Sequence, residues 1–333
     1  MRTRLTLLLI LLVFTLSACQ LFAPASPPAA PQVGTIVAST LTAYANTPVL
    51  PEAGPAASAV PALTPTPTDP TLGRQSAQGA AIPLPAGEVT ILLMGSDQRP
   101  GAQDFRTDTM VLVALKPDGS VSLVSFPRDL WIYLPGKFME RINTSQEYGG
   151  FALTQSTFQY NFGFTPQSYV LTNFSGFRSI IDSLGGIDVQ VGQTFSDARD
   201  GYPKGYTVHP GLVHMDSETA LWYIRARKTT SDLDRLRRGQ EVILAIGKKL
   251  LSLNALTRIP QLYAGFRSAI VTDMTLQDVV TLLPILQAVD PGKIQRYAIS
   301  TDQVTSYTTS GGASVLLPIP DAIRQVLIQA LGN

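Results

Sequence analysis

The sequence predicts an α/β domain with a central mixed β-sheet flanked by α-helices. Three observations lead there. Three apolar runs of strand length, residues 89–94, 109–115 and 121–126, follow one another closely and are separated by turn residues. Downstream, apolar residues recur at helical spacing instead. Strands then reappear between the helices, as residues 187–191 do after Gly185-Gly186, and such interleaving places helices on the faces of a sheet.

Taken in order, residues 89–94 form an unbroken apolar run ending at Gly95, as expected of a strand buried on both faces. Residues 109–115 make a second strand. Lys116-Pro117-Asp118-Gly119 is a turn signal, so the run at 121–126 is expected to fold back as a hairpin. Residues 174–184 read as a helix stopped by Gly185-Gly186, followed by the short strand 187–191. Residues 218–227 are helical, and so is a longer stretch from 234 to 253. Two further amphipathic helices are expected at 276–289 and 321–331. No internal repeat is evident.

Composition narrows the function. The 333 residues carry 25 Lys and Arg against 24 Asp and Glu, a net charge of +1, which excludes a protein that binds nucleic acid by bulk charge. One cysteine excludes an intrachain disulfide and a multi-cysteine metal site. The chain is not uniform along its length. Residues 1–19 have a basic start (Arg2, Arg4), an apolar run too short to span a bilayer, and the ending Leu16-Ser17-Ala18-Cys19. That ending resembles a bacterial lipoprotein cleavage box, with Cys19 as the lipidated residue and membrane anchor. An uncleaved membrane anchor is the alternative. Residues 20–87 hold thirteen of the 25 prolines and only three charges, the composition of a disordered tether. Residues 88–333 are left as the folded domain, in which 22 basic and 22 acidic residues balance.

The unusual residues of that domain cluster at strand ends. The first strand ends in Gly95-Ser96-Asp97-Gln98-Arg99, Arg106-Thr107-Asp108 precedes the second, and Pro127-Arg128-Asp129 follows the third. Ligand sites of α/β sheets gather in crevices outside strand ends, so these turns are candidates to converge. Paired carboxylates suit Mg²⁺, which favours hard oxygen ligands shared with phosphate, and arginines suit phosphate oxygens through charged, often bidentate hydrogen bonds. The plainer alternative is three solvated turns. A second cluster, within residues 223–238, holds five arginines in the fourteen positions 225–238. Asp232 or Asp234 is expected to cap the helix that follows, with Arg235 and Arg238 on one face near its anion-favouring terminus. A basic helix surface is the alternative there, but fifteen arginines against seven lysines in the domain exceed what solubility requires.

These motifs fall in an ordered series: Gly95-Ser96-Asp97, Arg106-Thr107-Asp108, Ser125-Phe126-Pro127-Arg128-Asp129, Arg141-Ile142-Asn143, Tyr148-Gly149-Gly150, Asn173-Phe174, Leu184-Gly185-Gly186-Ile187-Asp188, Tyr223-x-Arg225-x-Arg227 and Asp232-x-Asp234-Arg235. The series resembles the LytR–CpsA–Psr family of bacterial cell-wall proteins. The resemblance implies an enzyme on the outer face of the cytoplasmic membrane. It would move a glycopolymer from a polyprenyl-pyrophosphate carrier to peptidoglycan or a similar wall acceptor as a phosphodiester. It also implies an apolar cavity for the polyprenyl chain. By motif, Asp97 and Asp108 would hold Mg²⁺, and Arg106, Arg128, Arg225 and Arg227 would bind the pyrophosphate. Arg99, Arg235, Arg238 and Gln240 are further substrate-binding candidates.

Three departures from the family pattern stand out. Gly239 replaces the first glutamine of an Arg-Gln-Gln segment, Arg141 replaces a lysine, and a lipid anchor replaces a membrane-spanning helix. His209 and His214 match no catalytic motif, and Asp232 or Asp234 is the candidate base. Apolar stripes at Leu236, Val242, Ile243, Ile246, Leu250 and Leu251, and again at 276–286, read as core faces, parts of which the resemblance would assign to the lipid cavity. A pyrophosphatase-like hydrolase and a non-catalytic module binding polyprenyl phosphate or glycan remain as alternatives.

Overall fold

The computed structural model describes residues 80–99, 101–102, 104–226, 231–252 and 266–332. The signal segment with Cys19, most of the tether, and Arg227 lie outside the described residues. The strands, in chain order, are β1 (Val89–Ser96), β2 (Thr107–Leu115), β3 (Val121–Phe126), β4 (Trp131–Tyr133), β5 (Met139–Arg141), β6 (Ser168–Thr172), β7 (Ile187–Val191), β8 (Phe195–Arg199), β9 (Tyr202–Val208), β10 (Gly211–Met215), β11 (Val271–Thr272), β12 (Ile294–Ala298), β13 (Val304–Thr308) and β14 (Ser314–Pro318). The helices are α1 (Ser145–Phe162), α2 (Phe174–Ser183), α3 (Ser217–Arg225), α4 (Asp232–Ser252), α5 (Leu276–Thr281), α6 (Leu283–Ala288) and α7 (Pro320–Leu331). Among the described residues no helix is long and apolar enough to cross a membrane.

The expected mixed sheet is present. It has six strands in the order β11-β6-β1-β2-β3-β12. The β2–β3 hairpin forms as its turn chemistry requires, and β1 pairs antiparallel with β2 as well. Strands β6 and β12 lie parallel to β1 and β3. The C-terminal ends of β1, β3, β6 and β12 therefore share one edge with the N-terminal end of β2.

The two faces of the sheet are covered unequally. On the first, Leu92, Met94, Met110, Leu112 and Phe126 pack with Phe158 and Phe162 of α1 and Leu327 of α7, all buried. On the second, Val111, Leu115, Val121 and Leu123 are buried, while Val89, Ile91, Ile243, Leu244 and Leu286 are only partly so. Strand β1 accordingly alternates between buried and half-buried positions, and does not lie buried on both faces as its apolar run implied. A separate apolar cluster joins α2, α3 and α4 to β7, β8 and β10 around Ile181, Val189, Phe195, Tyr223 and Val242.

Two boundaries differ from expectation. The segment before residue 88 is not all tether: Ile82 is 6% exposed in the first core, and its N–H donates to the Gly163 carbonyl at 2.9 Å. Ile82 and Leu84 both pack on this core and so hold the irregular segment that leads into β1. The helix expected over 276–289 is two short helices, α5 and α6. Pro284 sits in the first turn of α6, where its missing N–H is tolerated but continuation from α5 is not.

Candidate active site

The strand-end turns do converge on the shared edge of the sheet. Ser96 of β1 pairs with Thr107 of β2 across a bulge, which brings Asp97 beside Arg106. The Arg106 N–H donates to Asp97 Oδ1 at 2.7 Å, and the Asp97 N–H donates to the Arg106 carbonyl at 3.1 Å. This reciprocal pairing holds the two backbones and leaves the Arg106 side chain exposed. Arg99 is exposed on the same turn, which its carbonyl closes by accepting from Ala102 N–H at 3.0 Å.

Asp108 lies at the centre. Its Oδ2 accepts from Arg128 Nη1 at 2.7 Å and its Oδ1 from Asn143 Nδ2 at 3.2 Å. Arg128 also reaches Asp129, at 3.4 Å, and Asp129 pairs in turn with Arg141 at 3.0 Å. Arg141 Nη2 donates to the Ser314 carbonyl at 2.9 Å, which ties this chain of charges to β14. Burial works against the charge of Arg128. Asp108 and Asp129, with Asp232 from the first turn of α4, outweigh it and hold its pKa above the ordinary value. A guanidinium so held stays fully charged and is fixed in direction, as an oxyanion site needs.

The second arginine cluster divides in two. Arg225, exposed at the end of α3, lies 4.0 Å from the ring centroid of Phe174, a cation–π contact. Phe174 begins α2 directly after β6, whose Thr172 pairs with Gly95 of β1, so Arg225 stands at the same sheet edge. Arg235 remains on the first turn of α4, 3.5 Å from Asp232.

Arg238 does otherwise. It is fully buried, its Nε donates to Asp234 Oδ2 at 2.9 Å, and its terminal nitrogens donate to the carbonyls of Tyr223 and Ala226. Its guanidinium lies over Phe195, 4.0 Å from the ring centroid. A substrate-binding role is thereby corrected: Arg238 has no accessible face and braces α4 against α3. Gln240 is also buried, donating to Ser125 Oγ at 2.9 Å and the Tyr297 carbonyl at 2.7 Å. It fastens α4 to the ends of β3 and β12 and does not reach into the site. Neither Asp232 nor Asp234 caps α4. Ser231 does, its Oγ accepting from Asp234 N–H at 3.3 Å, while the two acids occupy the first turn and pair with Arg235, Arg237 and Arg238.

Sequence reasoning gave no site role to Asn143, Arg141 or Glu147, whereas Asp129 stood among the turn residues expected to converge. Asn143 was visible within Arg141-Ile142-Asn143, but its bond to Asp108 depends on Thr107 Oγ1 donating to the Asn143 carbonyl at 3.0 Å. Asp129 pairs with Arg141, and it is Arg141 that reaches an element far off in the chain, at the Ser314 carbonyl. Glu147, in the first turn of α1, has its pKa raised by burial; Arg106 opposes the shift, and Asp104, Asp97 and Glu140 add to it. Glu147 therefore borders the same charge cluster. His214 pairs with Asp188 at 2.8 Å on the exposed β7–β10 ribbon, outside this cluster.

Fold and site together define an α/β protein that gathers oriented arginines and carboxylates at one edge of a mixed sheet, an arrangement for handling phosphate. The chain belongs to the LytR_cpsA_psr family, whose model matches residues 68–326. It is 32% identical over 204 residues to the polyisoprenyl-teichoic acid–peptidoglycan teichoic acid transferase TagU of Oceanobacillus iheyensis, covering 59% of this chain and 62% of that one. It is 32% identical over 194 residues to the protein of the same name from Bacillus subtilis, covering 57% and 61%. The chain thus spans about three fifths of the length of these relatives. The crystal structure of B. subtilis TagV matches its fold with a TM-score of 0.62 at 24% identity, covering 73% of this chain and 97% of that one.

Proposed function

We propose that this protein transfers a glycopolymer from a polyprenyl-pyrophosphate carrier to peptidoglycan. The carrying observation is the held Arg128, fixed by Asp108 and Asp129 at the sheet edge where Arg106 and Arg225 are exposed. The teichoic acid transferase activity for which the TagU relatives are named supports the same reading. An acceptor hydroxyl oxygen bonds to the glycan-linked phosphorus, the bond from that phosphorus to the bridging oxygen breaks, polyprenyl monophosphate leaves, and the hydroxyl proton is released. Phosphoryl transfer of this kind asks the protein for positioning and charge stabilisation, without a covalent nucleophile. Arg106, Arg128 and Arg225 supply both, and Arg227, Arg99 and Arg235 are further contacts in this reading.

Mg²⁺ is part of the proposal. Asp97 keeps Oδ2 beyond its bond to Arg106 N–H, and a carboxylate has more lone pairs than the single bonds each Asp108 oxygen accepts. Among the described residues no three His, Cys, Asp or Glu side chains form a closed metal cage. Two carboxylates with the remaining positions left to water and phosphate suit Mg²⁺. When bound, the ion would neutralise pyrophosphate charge.

In this reading the lipid carrier would lie along the second face of the sheet, where Val89, Ile91, Ile243, Leu244 and Leu286 are partly buried. Anchoring through Cys19 and a tether up to the folded domain would hold the site at the outer face of the cytoplasmic membrane. The test is incubation of the full-length chain with a polyprenyl-pyrophosphate glycan, Mg²⁺ and peptidoglycan. A glycan–peptidoglycan phosphodiester is expected, with loss of product in Asp97→Ala. Free glycan phosphate without conjugate would make the protein a hydrolase, and tight donor binding without turnover a binding module.

A further inference from the structure

Two large aromatic side chains stand exposed beside the charge cluster. Phe138 is 46% exposed and Tyr148 is 41% exposed, and their rings meet edge to face with centroids 5.4 Å apart. Such a contact is favourable in itself, yet it leaves broad ring surface in water that a ligand could cover.

Local structure fixes both residues. Phe138 closes the β4–β5 turn: its carbonyl accepts from Leu134 N–H at 2.9 Å, and Lys137 N–H donates to the Leu134 carbonyl at 2.9 Å. Tyr148 is followed by Gly149, where an added Cβ would lie 2.6 Å from the Leu153 side chain, and by Gly150 at φ 61°. The two glycines kink α1, so the turn that bears Tyr148 is offset from the rest of the helix.

The aromatic pair is continuous with the site. Tyr148 adjoins Glu147, which feels the charges of Arg106 and Asp97, and the strand after Phe138 ends in Arg141, the partner of Asp129. Lys137 is exposed at the rim, with Glu140 and Glu147 half-buried. A lipid chain would need a long apolar track, and a phosphate would need cations alone. A pyranose ring needs a small aromatic face for its C–H groups and donors and acceptors of both kinds for its substituents. The negative faces of the aromatic rings attract polarised C–H groups.

We propose that Phe138 and Tyr148 form a stacking subsite for a sugar ring of the acceptor glycan, with Lys137, Glu140 and Glu147 reaching its hydroxyl and amide groups. The assignment rests on the transfer reading above, because it is the acceptor that must approach the held phosphate. The test titrates a soluble β-1,4-linked N-acetylglucosamine tetramer into the full-length chain in detergent, followed by calorimetry. Phe138→Ala/Tyr148→Ala is expected to weaken binding at least about tenfold, Tyr148→Phe to retain it, and all variants to melt with the unchanged protein. If the double variant melts lower, Phe138→Ala alone decides, since that ring lies on an exposed turn. Binding unchanged in the alanine variants, or absent in the unchanged protein, overturns the subsite. So does loss of binding to phosphatidylglycerol vesicles carrying undecaprenyl phosphate in place of loss of sugar binding. Sugar binding that persists while no transfer occurs would overturn the transfer reading and leave the subsite standing.

Discussion

Strands β1 to β3 carry a carboxylate near each end. At one end, Asp108 accepts hydrogen bonds from Arg128 and Asn143. At the other, Glu88 is 3% exposed, and neither of its carboxyl oxygens has a hydrogen-bond partner among the described residues. Lys116, whose charge acts on Glu88, turns its Nζ to the Gly332 carbonyl at 2.9 Å. Burial therefore dominates and raises the Glu88 pKa from 4.5 to about 7, with Lys116 pulling weakly the other way. A carboxylate given only burial moves toward its neutral form, whereas Asp108 is given donors. Charge at the site edge is thus built by partners, and burial alone would not have supplied it.

The most direct way to break the contrast is to strip Asp108 of its cation. Arg128→Ala leaves Asp108 with Asn143 alone and removes a held donor from the proposed phosphate site. Glycopolymer transfer is expected to fall about 100-fold or more, the scale of losing one oriented oxyanion donor. Glu88→Gln, at the opposite end, should leave kcat/KM unchanged. Equal loss in both variants would mean that stability and not site chemistry is being read.

The pairing pattern reaches full burial in α4, where Arg238 and Asp234 face one another with Arg238 fully buried. Here burial pulls the Arg238 pKa down and Asp234 supports its charge. Arg238→Met deletes the charge but leaves Asp234 Oδ2 and the Tyr223 and Ala226 carbonyls without that donor. Breaking a buried pair from one side costs about 3–5 kcal/mol. For a domain of this size that is a fall in Tm of roughly 10 °C. A melt within a degree or two of the unchanged protein would return Arg238 to the list of substrate ligands.

How much of this could be read from the chain follows from what each feature depends on. The hairpin strands and the acids at their ends were legible because polar residues interrupt apolar runs at fixed points. Helix α1 was not. Its buried residues include Thr154 and Thr157 beside Phe158 and Phe162, and a glycine kink breaks its period, so no single apolar stripe marks it. The split within the arginine cluster was equally hidden. Arg235, Arg237 and Arg238 look alike in sequence, and only the rings of Phe195 and Tyr223, brought in by β8 and α3, decide that Arg238 lies inside. Partners distant in sequence set burial, and composition does not record them.

Glu88 offers a finer test through pH. Its folded pKa, about 7, lies above the value of 4.5 for an unburied glutamate, so between these limits the folded state holds more protons than the unfolded state. Stability contributed by the protonated form is fully present below pH 4.5, declines as pH rises toward 7, and is absent above. Glu88→Gln has no proton to lose there. Its Tm relative to the unchanged protein should therefore rise from pH 5 to pH 7.5, by an amount equivalent to about 2 kcal/mol. A flat difference across that range would mean that Glu88 has found a partner and that the two ends of the sheet are alike.

Two glycines carry the same comparison to its smallest scale. Gly119, in the turn at the Glu88 end, sits at φ 81°, and a Cβ there would come within 2.0 Å of the Ala288 carbonyl oxygen, so both conformation and space demand glycine. Gly239, in the α4 turn that leads from Arg238 to Gln240, leaves an added Cβ with no neighbour within 4 Å beyond its own stretch of helix among the described residues. It lies inside a regular helix, where glycine is less favourable than alanine by roughly 0.5–1 kcal/mol. Packing therefore does not explain its presence, and Gly239→Ala should raise Tm by roughly 1–4 °C. A lower Tm would show that space beside α4 is filled by some part of the chain, and the site end would then be closed where its neighbours leave it open.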